Sequence, residues 1–107
     1  MEIAQYQIVL VNLDSTLGNE IKKTRSCVII SPDEMNAHLR TIIVAPITTN
    51  SRQYPTRIEV KHDEKQSWIV IEQIRTMDKQ RIIKTFGSLS IKEIKAVKSV
   101  LRETFVD

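Results

Sequence analysis

Residues 17–30 read LGNEIKKTRSCVII: one of the chain's two glycines, then Glu20, then three basic residues (Lys22, Lys23, Arg25), then an apolar run. A carboxylate and a guanidinium placed in a loop directly before a strand add nothing to a core. They point to something outside the fold. Most familiar chemistry is missing from the rest of the chain. His38 and His62 stand far apart, with no CxxC or HxxxH spacing that would hold zinc. Both read as surface residues, His62 within the polar turn 62–66. Gly18 and Gly87 are too few and too distant to build a phosphate-cradling loop, and no GxSxG elbow occurs. The lone Cys27 cannot form an internal disulfide; inside CVII it reads as a buried strand thiol. Working groups, if there are any, must come from Arg, Thr, Glu and the backbone.

That set favours one kind of reaction. Arginine is permanently cationic and presents five donors in a planar fork suited to phosphate oxygens. A threonine hydroxyl beside it adds a neutral donor, and together they can stabilise charge building on a phosphate. RNA carries its own nucleophile, the ribose 2′-hydroxyl. A protein that cuts it this way needs to position, polarise and protonate, and no metal or cofactor is required.

The elements that would position such groups can be read from patterning. A chain of 107 residues is one domain (1–107), long enough to bury a hydrophobic core unaided. With 41% hydrophobic and 27% charged residues it is globular rather than disordered. A net charge of +3 permits an anionic partner without demanding one. No apolar run is long enough to span a membrane and the N-terminus lacks a signal-peptide layout, so a soluble, cytoplasmic protein is expected. Strand-length apolar stretches cover 6–13, 26–30, 41–47, 57–61 and 67–72, with a short sixth at 73–76. Pro46 suggests that the third lies at an edge or ends there. Residues 33–39 fit one helical turn after Pro32. Residues 90–93 (SIKE) fit a capping box, after which Ile91, Ile94, Val97, Leu101 and Phe105 form one stripe at helical spacing. Many short strands and one terminal helix indicate a mainly β protein with α: a small antiparallel barrel or strongly bent sheet with a helical cap.

In order along the chain stand IVLVNLD (8–14), GNE (18–20), Arg25, APITT (45–49), YPTR (54–57) and IEQIRTMDK (71–79). This ordered set resembles the MazF/PemK toxins, endoribonucleases of bacterial toxin–antitoxin pairs, over nearly the full length. The resemblance implies an SH3-like antiparallel β-barrel with a C-terminal helix, a homodimer, a MazE/PemI-like antitoxin as partner, and sequence-specific cleavage of single-stranded mRNA. That cleavage, without metal, leaves a 2′,3′-cyclic phosphate and a 5′-hydroxyl. Carried over by position, Arg25 matches the catalytic arginine and Thr48 the catalytic threonine. Glu20 matches the acidic residue of the family's G-x-E…R motif, with three roles open to it: orienting Arg25, contacting a base, or assisting removal of the 2′-hydroxyl proton. Asn36, Thr49, Ser67, Glu72 and Gln73 fall at positions of the RNA groove. The chain departs from the family twice, with Asp14-Ser15 and Arg25-Ser26 where Asp-Pro and Arg-Pro are common. Each change frees φ and restores a backbone N–H beside the proposed site.

Each residue also has a plainer alternative. Arg25 is a surface or interface salt bridge; Thr48 is a strand-end hydroxyl satisfying local backbone. Glu72 pairs with Arg75 and holds a turn, Asn36 caps a turn, Ser67 is strand surface, and Trp68 is core. The cluster Lys79 with 81–84 is a solvated face, or a surface that steers RNA or meets an acidic antitoxin. Two other functions compete with the nuclease: a CcdB-like toxin that poisons gyrase without catalysis, and a degenerate SH3-like module that binds without cutting.

Overall fold

The computed structural model describes residues 2–13 and 23–106. Seven strands are found among them: β1 (Gln7–Asn12), β2 (Thr24–Ile29), β3 (Thr41–Thr48), β4 (Arg57–His62), β5 (Lys65–Val70), β6 (Arg75–Asp78) and β7 (Ile82–Ser88). The helices are α1 (Asp33–His38) and α2 (Ile91–Phe105), with 3-10 turns at Ile71–Gln73 and Lys79–Arg81. The strands make one antiparallel sheet in the order β4-β5-β3-β2-β1-β7, and β6 pairs β3 beside this path. The sheet curls into a half-barrel capped by α2, the mainly β architecture expected from the pattern.

Period-two alternation explains how so short a chain builds a core on each face of this sheet. Ile8, Val28, Ala45 and Ile47 face one way and join Ile58, Val60, Ile69, Ile71, Leu89 and Val97 beneath α2. Their neighbours Val9, Val11, Cys27, Ile29, Ile42 and Val44 face the other way and pack with Met77 and Ile82. The stretches Ile8-Val9 and Cys27-Val28-Ile29 thus serve two cores at once, which is why these strands read as continuous apolar runs.

Helix α2 starts at the capping box read from the sequence. The Ser90 hydroxyl accepts from the Glu93 N–H at 3.1 Å, and the Ser90 N–H donates to Glu93 Oε1 at 2.8 Å. The buried stripe is narrower than its spacing implies. Val97 is fully buried and Ile94 and Leu101 pack beside it, but Ile91 is 74% and Phe105 55% exposed. The ends of the helix overhang the sheet, so apolar residues there find no floor.

Other elements differ from expectation. Pro46 is neither at an edge nor at a terminus: it is buried, opposite Cys27 of β2. The Ile43 carbonyl accepts from the Ile30 N–H of the β2 side at 2.8 Å, so odd positions of β3 turn their backbone groups toward β2 and even positions away. Pro46 therefore lacks its N–H on the far side, at the place where β3 leaves β6 (Thr41 to Val44) and takes up β5 (Ile47 and Thr48). The expected fifth strand stops at Val70 and turns, so the sixth begins at Arg75 rather than residue 73. Strand β7 was hidden in what reads as a basic cluster. Lys79 Nζ donates to the Asn36 carbonyl at 2.6 Å and an Arg81 guanidinium N–H donates to the Leu13 carbonyl at 3.3 Å, so neither is merely solvated. Trp68 is half-buried, and its indole Nε1 is buried with no hydrogen-bond partner among the described residues.

Strands β4 and β5 meet in a two-residue turn, with Asp63 at φ 55° and Glu64 at φ 62°. Positive φ at both central positions is the signature of a type I′ turn, which favours Asn-Gly and strains a side chain such as glutamate. Replacing Asp63-Glu64 by Asn-Gly should raise stability by about 1 kcal/mol. Thermal unfolding should register this as a rise in Tm of roughly 5 °C, and an unchanged Tm would show that the turn stores no such strain.

Candidate active site

Arg25 lies on β2, opposite Val11 of β1, and not in the loop that its neighbours suggested. The β2–β3 ladder pairs Ile29 with Val44, Val28 with Ala45 and Cys27 with Pro46. The same register carried two residues further sets Arg25 across from Thr48, but beyond Cys27 the strands part. Between them opens a cleft of about 320 Å³, lined by Arg25, Ser26, Thr48, Thr49, His62 and Ser67 among others. Arg25 and Thr48, which the register sets opposite one another on adjacent strands, both border this cleft. Larger grooves exist, one of about 470 Å³ between β4 and α2, but the donors suited to phosphate gather here.

The Thr48 hydroxyl accepts from the Asn50 N–H at 3.1 Å. This is the local role open to a strand-end threonine, and it still leaves the hydroxyl proton to donate elsewhere. Thr49 is exposed on the cleft rim, while Ser67 is almost fully buried on its wall with its hydroxyl toward the Lys65 carbonyl at 3.3 Å. Lys65 adds a second cation and Asp63 a carboxylate.

Arg25 also borders a second, smaller cleft of about 190 Å³ with Gln73, Arg75, Pro46 and Cys27. Burial pushes the Cys27 thiol up to about 11, although Arg25 and Arg75 pull the other way. It stays protonated and unreactive at neutral pH, the buried strand thiol that its setting indicates. Arg75 is a second guanidinium beside Gln73 that the sequence did not single out.

Other residues are drawn elsewhere. Glu20 lies outside the described residues. Asn36 is buried: its side-chain carbonyl accepts from the Ser31 hydroxyl and its amide donates to the Ser31 carbonyl at 3.0 Å. It borders neither cleft that Arg25 lines, and its hydrogen bonds match the capping alternative. Glu72 pairs not with Arg75 but with Arg57, at 2.8 Å, and its other oxygen accepts from the Thr56 hydroxyl at 2.6 Å. Arg57 in turn donates to the Ser51 hydroxyl at 2.8 Å and stacks over Tyr54. The motif YPTR and the glutamate of EQIRTMDK therefore make one clamp, tying the start of β4 to the turn after β5.

His62 is the residue that sequence reading misplaced. It is half-buried at the end of β4, inside the cleft, with Nε2 3.1 Å from the Ser26 hydroxyl and its ring edge-on to Phe86 at 5.2 Å. A signal was available: Ile58 and Val60 face inward, and alternation puts His62 on their side.

The clamp gives a testable acid dependence. Hydrogen bonding from Arg57 holds the Glu72 carboxyl below its ordinary 4.5, helped by Thr56 and opposed by slight desolvation. A depressed folded-state value adds stability above the ordinary value, and that stability is lost as pH falls through the folded one. Glu72→Gln should therefore unfold more easily near pH 7, by less than about 1 kcal/mol for so exposed a pair. In denaturant titrations the difference should vanish in acid; a difference that persisted would assign it to packing.

Comparison with known proteins agrees with this fold. Residues 4–105 match the family model of PemK-like, MazF-like toxins of type II toxin–antitoxin systems. An endoribonuclease MazF of Staphylococcus saprophyticus is 36% identical over 88% of this chain and 83% of its own length. Among solved structures, MazF in a MazE–MazF complex of Deinococcus radiodurans superposes with a TM-score of 0.81, at 17% identity over 97% of this chain and 96% of its own. A Mycobacterium tuberculosis MazF toxin gives 0.79, at 22% identity over 92% and 95%. These two show a shared fold. The family match and the staphylococcal relative show descent, and the chain belongs to the PemK-like, MazF-like toxins of type II toxin–antitoxin systems.

Proposed function

We propose that this endoribonuclease toxin cuts single-stranded mRNA at specific sequences by attack of the ribose 2′-hydroxyl on the adjacent phosphate, without a metal, giving a 2′,3′-cyclic phosphate and a 5′-hydroxyl. The supporting observation is that Arg25 and Thr48 line one cleft. The guanidinium binds the scissile phosphate and holds the charge that grows on its oxygens; the Thr48 hydroxyl donates to the same phosphate. Both act as positioned donors in place of water, the kind of stabilisation worth most in a phosphoryl transfer. Thr49 and Gln73 lie along the two clefts flanking Arg25 and contact the strand on either side of the cut, while the buried Ser67 backs the wall of the first. Glu72 contributes by holding the loop that ends β5, rather than by reading a base.

The toxin works in the cytoplasm as a homodimer and is held off by a MazE/PemI-like antitoxin that covers the groove. Family membership supports both partners, and solved relatives include a mycobacterial endoribonuclease in complex with its cognate antitoxin.

Arg25→Ala and Thr48→Ala should each slow cleavage of a long RNA by about a hundredfold or more while leaving the thermal unfolding of the protein unchanged. The digest is run with EDTA present and the ends are mapped. An Arg25→Ala protein that cuts at the wild-type rate would refute the mechanism. A wild-type protein that yields no defined fragments would favour a binding or gyrase-directed role instead.

A further inference from the structure

The base that removes the 2′-hydroxyl proton is not supplied by Arg25 or Thr48. Arginine does not give up its proton in proteins, and an unassisted threonine is a poor acceptor. The cleft contains another group. The His62 imidazole enters it from the end of β4, and its Nε2 lies 3.1 Å from the Ser26 hydroxyl, one residue along β2 from Arg25. When Nδ1 carries the ring proton, Nε2 accepts from the serine, and the serine oxygen keeps its lone pairs for another donor.

Two features hold this pair in place. The tight Asp63-Glu64 turn fixes the end of β4, and Phe86 of β7 braces the imidazole edge-on. Alternation along β2 sends Arg25 and Ser26 to opposite faces of the sheet, but at the open end of the β2–β3 ladder both faces reach the same cleft. Ser26 stands where the resembled family commonly has proline, which has no hydroxyl, so the device belongs to this chain's own residues. Among the described residues, the charged groups around His62 are Arg25 from β2, Asp63 at the turn and Lys65 from β5, all lining the cleft, and Lys84 of β7, whose amine lies over the Phe86 ring at 5.2 Å.

We propose that Ser26 and His62 form a proton relay that accepts the ribose 2′-hydroxyl proton. This rests on the cleavage reaction proposed above. The 2′ O–H bond breaks as O2′ bonds to phosphorus; its proton goes to Ser26 Oγ, whose own proton passes to His62 Nε2. The bond from phosphorus to O5′ breaks, the leaving oxygen takes a proton from water, and His62 later releases its proton to solvent. A relay that must start unprotonated to accept a proton makes the cleavage rate depend on pH.

The test measures single-turnover cleavage of a long mixed-sequence RNA across roughly pH 5 to 8.5. Wild-type protein should show a rate that climbs about tenfold per pH unit and then levels off. In His62→Gln the rate should fall by about a hundredfold or more and lose that break. Ser26→Ala should slow cleavage at least about tenfold, and the double variant should be no slower than His62→Gln, because groups acting as one unit are not additive. RNA affinity should be unchanged in all three, which separates a relay from a structural role. A His62→Gln protein with the wild-type rate and pH break overturns the relay, as does a Ser26→Ala protein at the wild-type rate; the latter alone decides if His62→Gln fails to fold. Arg25→Ala, run alongside, separates the failures. If it is inactive while His62→Gln is normal, only the relay falls; if it is fully active, or the wild type yields no fragments, the cleavage mechanism falls and the relay with it.

Discussion

Strand β3 has to satisfy three partners, and the residue at which it changes from one to the next cannot donate a hydrogen bond. One side of β3 is taken by β2; the other passes from β6 to β5 at Pro46. A central strand normally excludes proline because a ladder hydrogen bond is lost. Here the missing N–H falls at the break between two ladders, where no partner waits for it. The change of partner also puts the β4–β5 hairpin on Ile47 and Thr48, past the last β2–β3 pair, so that residues of β2, β3, β4 and β5 border one cleft.

The chemistry gathers at that place for the same reason. Ladder hydrogen bonds beyond Cys27–Pro46 would close the space between Arg25 and Thr48. With the strands parted, side chains from β2, β3, β4 and β5 reach a common volume. Polar groups at the end of a ladder stay near water and keep their donors available, whereas the same groups one turn earlier would be buried and have to find protein partners. Cys27, two residues from Arg25 on the same face, shows the contrast, with a thiol that burial keeps neutral.

Away from the cleft, charged and polar residues that look functional in the sequence hold the scaffold. Arg57, Glu72, Thr56 and Ser51 share hydrogen bonds that tie the loop before β4 to the turn after β5. Asn36 and Ser31 satisfy each other in the interior beside β3, and the Ser31 hydroxyl also accepts from the Ile43 N–H at 3.1 Å. The Ser31–Asn36 pair answers a cost, since a buried polar atom without a partner is destabilising. A motif such as EQIRTMDK therefore mixes two kinds of residue: Glu72 holds structure, while Gln73 and Arg75 border a cleft.

Much of the fold was legible in the sequence because it depends on local patterning. Alternation and apolar runs mark β1, β3 and β4, and the SIKE box marks the start of α2, since each rests on contacts within a few residues. Strand β7 was not legible: as an outer strand beside β1 it carries lysine and exposed isoleucine, and nothing local distinguishes it from a solvated basic run. The order of motifs, read as a family resemblance, was enough to name Arg25 and Thr48. Whether they meet depended on the β2–β3 register and on where that ladder stops, which no local pattern records. His62 shows the same limit: its residue type and its alternation were in view, but its partner Ser26 stands 36 positions away, and only the folding of β4 against the end of β2 joins them. Residue types and spacing determined which chemistry this chain has available; the points at which its strands separate decided which of those residues can act together.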